Sequence, residues 1–217
     1  MNNKQTTIKD SVSLEGVGIH TGKDVKLTFH PAKENTGYIF KRVDLDDKPE
    51  IEALAKYVVN TQRGTTLEKD GVKLKTTEHV LAALVGLEID NILIEINAEE
   101  PPIMDGSSKF FVNALEKAGL KELSSLRKEY IVKDVISFND PDSGSEITLI
   151  PSENYQITTM VDYETKVLGT QNATLTKLSE FKDEFSNART FSFLHEIEML
   201  LENNLIKGGD LNNAIVY

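Results

Sequence analysis

The chain has 217 residues, of which 39% are apolar, so it can bury a hydrophobic core in one large domain or two small ones. It contains no cysteine, which excludes a disulfide framework and cysteine-ligated metal, and fits a reducing compartment. The net charge of −11, with no cluster of Lys and Arg, argues against a nucleic-acid partner. Neither a secretory signal core nor an apolar stretch of roughly 18 residues is evident, so we expect a cytoplasmic protein without a membrane span.

The first predicted elements are strands. Alternating apolar and polar residues predict strands at 25–29 and 38–40, with a turn at 35–37 between them, so a hairpin is the simplest interpretation. Upstream, the glycine-rich segment 16–23 is either a phosphate-binding loop or a turn between strands. Its glycine spacing does not match the phosphate-loop pattern, and a strand rather than a helix is predicted to follow, which favours the turn.

Next in the chain, an apolar segment at 77–87 predicts a buried helix that carries Glu78 and His79 in its first turn. In one interpretation the pair is structural: Thr76 or Thr77 caps the helix, and the charge of Glu78 suits the helix dipole. In the other, neutral His79 binds a metal while Glu78 accepts a proton from an activated water. The spacing does not decide between these interpretations, because one turn after His79 the sequence has Ala83 rather than a second histidine.

The remaining elements suggest a repeated architecture. A buried strand is predicted at 91–96, a helix at 109–118 that ends at Gly119, a new strand pattern at 130–138, a helix at 191–203 and a final strand at 214–217. The strand pattern at 27–32 recurs at 147–152, and the charged stretch 121–129 has linker composition.

These patterns predict an α+β fold class with two tandem similar domains, at 1–125 and 129–217. Because a domain rarely ends inside an apolar strand, we expect the second domain to be incomplete at its C-terminus and the chain to be a fragment of a longer protein.

Six motifs, in order along the chain, resemble the zinc-dependent UDP-3-O-acyl-N-acetylglucosamine deacetylase family of lipid A biosynthesis. They are Ser13-Leu14-Glu15-Gly16-Val17-Gly18-Ile19-His20-Thr21-Gly22-Lys23, Thr77-Glu78-His79 with the helix that follows it, Ile89-Asp90-Asn91, Pro102-Ile103-Met104-Asp105-Gly106-Ser107, Ala188-Arg189-Thr190-Phe191 and 208–216. The resemblance spans the whole chain.

The resemblance implies two similar domains, each with a sheet layered against helices, and zinc (Zn) in the cleft between them. It implies that His79 is one of three zinc ligands, that Glu78 is the general base, and that Thr190 hydrogen-bonds the oxyanion. Phe191 and an insert near 188–212 correspond to the family's hydrophobic passage for the acyl chain of the substrate. Tyr163 matches an aromatic residue that stacks on uracil, and His20 is assigned to substrate binding.

The resemblance also implies what this chain does not contain. The family's other two zinc ligands and its general acid correspond to positions beyond Tyr217, so we expect this stretch alone to be inactive and the remainder of the polypeptide to complete the site. Some members are fused to a 3-hydroxyacyl-carrier-protein dehydratase. Two other classes stay open: a non-catalytic nucleotide-sugar or lipid-binding module of the same fold, and a phosphate-transferring enzyme that uses segment 16–23.

Overall fold

The structure, a computed structural model, describes residues 4–217, and these form two compact units. The first unit contains the described residues up to Leu126 together with Ser179–Tyr217, and the second is Arg127–Leu178. This division differs from the expected domains 1–125 and 129–217. Its physical reason is visible in the backbone, where Thr190 N–H donates to Gly106 and Gly208 N–H donates to Ile19, so the last segment packs with the first unit. The two similar tandem domains stay a prediction.

Most elements of the described residues are strands, and eight strands precede the first α-helix. Up to the unit boundary they are β1 (Lys4–Ile8), β2 (Val12–Val17), β3 (Asp24–Pro31), β4 (Tyr38–Arg42), β5 (Glu50–Glu52), β6 (Val58–Asn60), β7 (Thr66–Lys69), β8 (Val72–Leu74), α1 (Glu78–Gly86), β9 (Ile92–Ile96), α2 (Lys109–Ala118) and β10 (Leu120–Leu126). After the boundary they are β11 (Ile136–Asn139), β12 (Glu146–Leu149), β13 (Ile157–Asp162), β14 (Thr170–Leu175), β15 (Phe191–Ser192), α3 (Leu194–Glu202) and β16 (Ile215–Val216).

A five-stranded sheet in the order β2-β3-β9-β4-β5 forms the centre of the first unit. The hairpin expected between the strands at 25–29 and 38–40 is wrong, because β9 lies between β3 and β4, antiparallel to the first and parallel to the second. Asn91, at the start of β9, explains the arrangement: its side-chain oxygen accepts the N–H groups of Thr36 and Gly37, so the 35–37 turn is bound to β9.

The core lies where α1 and α2 pack on this sheet. Alternate residues of β9 (Ile92, Ile94 and Ile96) are fully buried, as are Phe111 and Leu115 one turn apart on α2. Helix α2 ends before Gly119, which has φ 71°, as predicted from the sequence. The first unit is therefore a sheet covered by helices, which agrees with the predicted mixture of helices and strands.

The second unit contains two antiparallel hairpins, β11–β12 and β13–β14. The strand pattern predicted at 130–138 is a strand only from Ile136 onward. The recurring segments at 27–32 and 147–152 overlap β3 and β12, but β3 lies inside the five-stranded sheet whereas β12 pairs with β11 alone. Within residues 4–217, no helix combines the length and apolar character needed to cross a bilayer.

Candidate active site

Helix α1 begins at Glu78, so the carboxylate and the His79 imidazole both lie in its first turn. The expected side-chain cap is absent at Thr77, whose hydroxyl instead donates to the carbonyl of Thr65 at 3.1 Å. The hydroxyl of Thr76 donates to a buried carboxylate, Glu100, at 3.0 Å. Both threonines are therefore used to fix the entry into the helix rather than to satisfy its free amide groups.

Glu78 and His79 differ in their exposure to solvent. One Glu78 oxygen accepts the N–H of Thr65 at 2.8 Å, and the other lies 3.8 Å from Nε2 of His79. The side chain of His79 is 17% exposed and that of Glu78 is 38% exposed. Burial lowers the pKa of His79, and the charges of Glu78 and Asp105 oppose that shift only partly. The imidazole therefore favours its neutral form, in which a ring nitrogen has a free lone pair.

A cavity of about 610 Å³ opens beside this pair, entirely within the first unit. The residues that surround it come from the turn before β3, the loop before β7, the first turn of α1 and the residues just before it, the loop before α2, and the segment from Ala188 onward. Its lining residues are Ile19, His20, Arg63, Thr76, Glu78, His79, Ile103, Ala188, Arg189, Thr190, Phe191, Ser192, Ile197, Leu200, Ile206, Gly209, Asp210, Leu211, Ala214 and Val216. The structure thus brings together five of the six candidate site residues, namely Glu78, His79, Thr190, Phe191 and His20. Tyr163, the sixth, lies in the second unit, where its N–H donates to the carbonyl of Gly169.

The wall that contains Thr190 and Phe191 is held by backbone pairing. Thr190 N–H donates to the carbonyl of Gly106 at 2.7 Å, and Thr190 in turn accepts from Ile215 N–H at 3.0 Å. Strands β15 and β16 then run parallel, with Phe191 opposite Ile215. The ring of Phe191 makes edge contacts with those of Phe193 and Tyr217, with centroids 5.7 and 5.8 Å apart.

Gly106 leaves no room for a side chain between this wall and the loop before α2. Its φ is +87°, and a Cβ there would lie 2.0 Å from the backbone oxygen of Asn213 and 3.2 Å from Cγ2 of Thr190. Only glycine combines that φ with such a close approach.

His20 lies in the turn between β2 and β3. These strands pair directly, so the interpretation of segment 16–23 as a glycine-rich turn is confirmed, and a strand rather than a helix follows it. The ring of His20 contacts two other parts of the cavity: Nδ1 accepts from Ile206 N–H at 3.4 Å, and Nε2 donates to the carbonyl of Arg63 at 3.3 Å. This network assigns the ring proton to Nε2.

One ion pair beside the cavity was not predicted from the sequence. Arg63 and Glu196 form two hydrogen bonds, at 3.1 and 2.5 Å, between the loop before β7 and the first turn of α3. Glu196 also accepts the N–H of Phe193, at 3.2 Å. Residues this far apart in sequence leave no local signal. Helix α3 begins at Leu194 rather than 191, and it contributes Ile197 and Leu200 to the cavity.

The chain is thus an α+β protein in which a carboxylate–imidazole pair opens into a mostly apolar cavity. A family profile described as UDP-3-O-acyl N-acetylglycosamine deacetylase, LpxC, matches residues 5–217, and the chain belongs to this family.

Related proteins fall into two groups by length. A bifunctional enzyme LpxC/FabZ of Bacteroides thetaiotaomicron is 49% identical over 213 residues, which are 98% of this chain and 46% of that protein. The protein of the same name from Porphyromonas gingivalis is 46% identical over the same shares. The UDP-3-O-acyl-N-acetylglucosamine deacetylase of Idiomarina loihiensis is 42% identical over 98% of this chain and 70% of that protein. The chain therefore spans about half the length of the bifunctional relatives.

Proposed function

We propose that the protein containing this chain hydrolyses the N-acetyl group of UDP-3-O-acyl-N-acetylglucosamine, the committed step of lipid A biosynthesis. One observation carries the proposal: Glu78 and His79 open into the same apolar cavity that Thr190 and Phe191 line. Membership of the deacetylase family and the names of its relatives support the same reaction.

Zinc is proposed as the cofactor, with His79 as one ligand. A neutral imidazole suits zinc, and the pKa of His79 is shifted in that direction. Within residues 4–217, however, no group of three or more His, Asp or Glu side chains lies close enough together to hold a metal. The described residues alone do not fit a complete zinc site, so we propose that the other ligands come from polypeptide outside this chain.

Two side chains of the chain itself supply proton transfer and charge stabilisation in this proposal. Glu78, held by Thr65 N–H and 38% exposed, accepts a proton from the attacking water. The hydroxyl of Thr190 has no hydrogen-bond partner among the described residues and lines the cavity, so it is available to donate to the oxyanion that develops on the amide oxygen.

The apolar part of the cavity is proposed to receive the acyl chain of the substrate. Phe191, Ile197, Leu200 and Ile206 line it, and burial of one acyl CH₂ there contributes about 0.8 kcal/mol. His20 is proposed to contact the substrate, and Tyr163 to stack on its uracil. A C-terminal dehydratase domain is proposed from the bifunctional relatives. The cytoplasmic location stays a prediction.

The test uses the full-length protein and measures acetate release from UDP-3-O-acyl-N-acetylglucosamine, together with bound zinc. We expect Glu78→Ala to reduce kcat by about 10²- to 10⁴-fold with zinc retained, because it removes a general base. His79→Ala should lower zinc content as well. Glu198→Ala removes a carboxylate from an exposed position of α3 and serves as the control.

Equal loss of zinc in the Glu78 and His79 variants would refute the division of roles. Binding of the substrate by the wild-type protein without acetate release would favour the non-catalytic nucleotide-sugar or lipid-binding module.

A further inference from the structure

Glu100 lies in the loop between β9 and α2, and its carboxylate side chain is fully buried. One of its oxygens accepts the backbone N–H of Thr21 at 3.0 Å, and both accept the N–H of His20 at 3.1 Å. The hydroxyl of Thr76 donates to it from the other side at 3.0 Å. Since a buried carboxylate is costly unless it is fully hydrogen-bonded, a side chain at this place needs a role that an apolar residue would not fill.

The partners of Glu100 belong to two separate parts of the candidate site. Thr76, with φ 53°, comes just before Thr77 and the Glu78–His79 pair. His20 lies in the turn before β3 and also lines the cavity. A single carboxylate therefore joins the entry of α1 to the turn that carries His20.

The turn is packed tightly against this carboxylate. A Cβ at Gly18 would lie 2.5 Å from Oε2 of Glu100. On its other side the turn contacts the segment after α3, where Gly208 N–H donates to the carbonyl of Ile19 at 3.0 Å. The turn is thus held between Glu100 and a segment that lines the cavity, so a shift of the turn would move His20 and that lining together.

We propose that Glu100 is a positioning residue, which fixes His20 in the orientation that binds substrate. The proposal rests on the proposed function, because it takes His20 to contact the deacetylase substrate. Glu100 does not contact the cavity itself, since it is absent from the cavity lining, and it acts through the two backbone N–H groups that it accepts.

The main test compares Glu100→Leu with Glu100→Gln in the full-length protein. Leucine removes the acceptor, so we expect KM for UDP-3-O-acyl-N-acetylglucosamine to rise about tenfold while kcat changes less than threefold. Glutamine keeps one oxygen for His20 and Thr21, and its NH₂ group can donate to the Thr76 hydroxyl, so KM should stay within threefold of wild type. Glu99→Gln is the matched control, because Glu99 is the adjacent residue and pairs with surface Lys23 and Lys75.

A double-mutant cycle with His20→Ala separates positioning from general stability. If Glu100 acts through His20, then Glu100→Leu should change KM less than twofold in the His20→Ala background. An equal tenfold rise in both backgrounds would overturn the proposal. If the leucine variant does not fold, Gly18→Ala takes its place in the same cycle, because its Cβ displaces the carboxylate.

Amide hydrogen exchange of His20 and Thr21 gives a readout that does not depend on activity. We expect slow exchange in wild type and Glu100→Gln, and at least tenfold faster exchange in Glu100→Leu. Unchanged exchange in the leucine variant would overturn the positioning role. Absence of acetate release from wild type, with the exchange pattern as expected, would instead refute the proposed function while the contact between Glu100 and His20 stands.

Discussion

Replacing Gly106 by alanine tests the reasoning that this glycine seats the wall containing Thr190. The new Cβ would lie 2.0 Å from the backbone oxygen of Asn213, far inside van der Waals contact. Asn213 cannot yield easily, because it is 7% exposed and its side chain donates to the carbonyl of Gly208 at 2.8 Å.

Gly71 provides a matched control for the backbone strain. It follows Asp70 in the two-residue turn between β7 and β8, and its φ of +81° is close to the +87° of Gly106. A Cβ at Gly71 would meet nothing within 4 Å. Both alanine variants therefore have the cost of a left-handed residue, roughly 1–2 kcal/mol, and only Gly106→Ala adds a clash, which typically costs about 1–3 kcal/mol.

Calorimetric unfolding measures the difference directly. We expect Gly106→Ala to unfold at a lower Tm than Gly71→Ala, by about 2–4 °C for each kcal/mol of added cost. It should also lower kcat for acetate release, because the N–H of Thr190 is bound to the carbonyl of Gly106. Equal Tm values for the two variants would refute the steric argument, and a Gly106→Ala enzyme with normal kcat would refute the link to Thr190.

Two further predictions concern the cavity wall. Thr190→Val keeps the shape of the side chain and removes its hydroxyl, so kcat should fall about 10²- to 10³-fold while KM and Tm stay near wild type; an unchanged kcat in the acetate-release assay would exclude the oxyanion role. Glu196→Gln should destabilise the protein at neutral pH by about 0.5–1 kcal/mol, since it breaks a partly exposed ion pair with Arg63. The Arg63 guanidinium lowers the pKa of Glu196 below its ordinary 4.5, so this contribution is present above pH 4.5 and is lost as the pH falls through the lowered pKa. Urea unfolding of both proteins at pH 7 and at a series of pH values below 4.5 should show the difference shrinking as Glu196 becomes protonated, and a difference that does not change with pH would contradict the assignment.

Local patterns in the sequence predicted the elements that depend on local physics. Helix α1 begins at Glu78, and α2 runs from Lys109 to Ala118, because apolar periodicity and a terminal glycine define a helix within a few residues. Local patterns do not predict which strands pair with each other in a sheet. Strand β9 lies between β3 and β4, where its three alternate isoleucines are buried on one face of the sheet, and no neighbouring residue in the sequence indicates which strands pair with it.

The candidate site shows the same limit. Glu78 and His79 are adjacent in sequence and could be singled out from their helix alone, whereas their roles needed the family resemblance. The contacts of Glu100 and of the Arg63–Glu196 pair could not be predicted from the sequence, because their partners lie tens of residues away or more. A carboxylate in a sequence gives no indication of whether it will be buried, and only the folded chain reveals that Glu100 is.

The parallel pairing of β15 with β16 has an evolutionary consequence. Phe191 lies opposite Ile215, so the ends of the intervening segment, including α3, are clamped together at one edge of the cavity. A segment closed in this way can lengthen, shorten or change its apolar residues at a small entropic cost, and its anchor points stay in place. If the cavity receives the acyl chain as proposed, variation within this segment would change the length of chain that fits without altering the carboxylate and imidazole on α1.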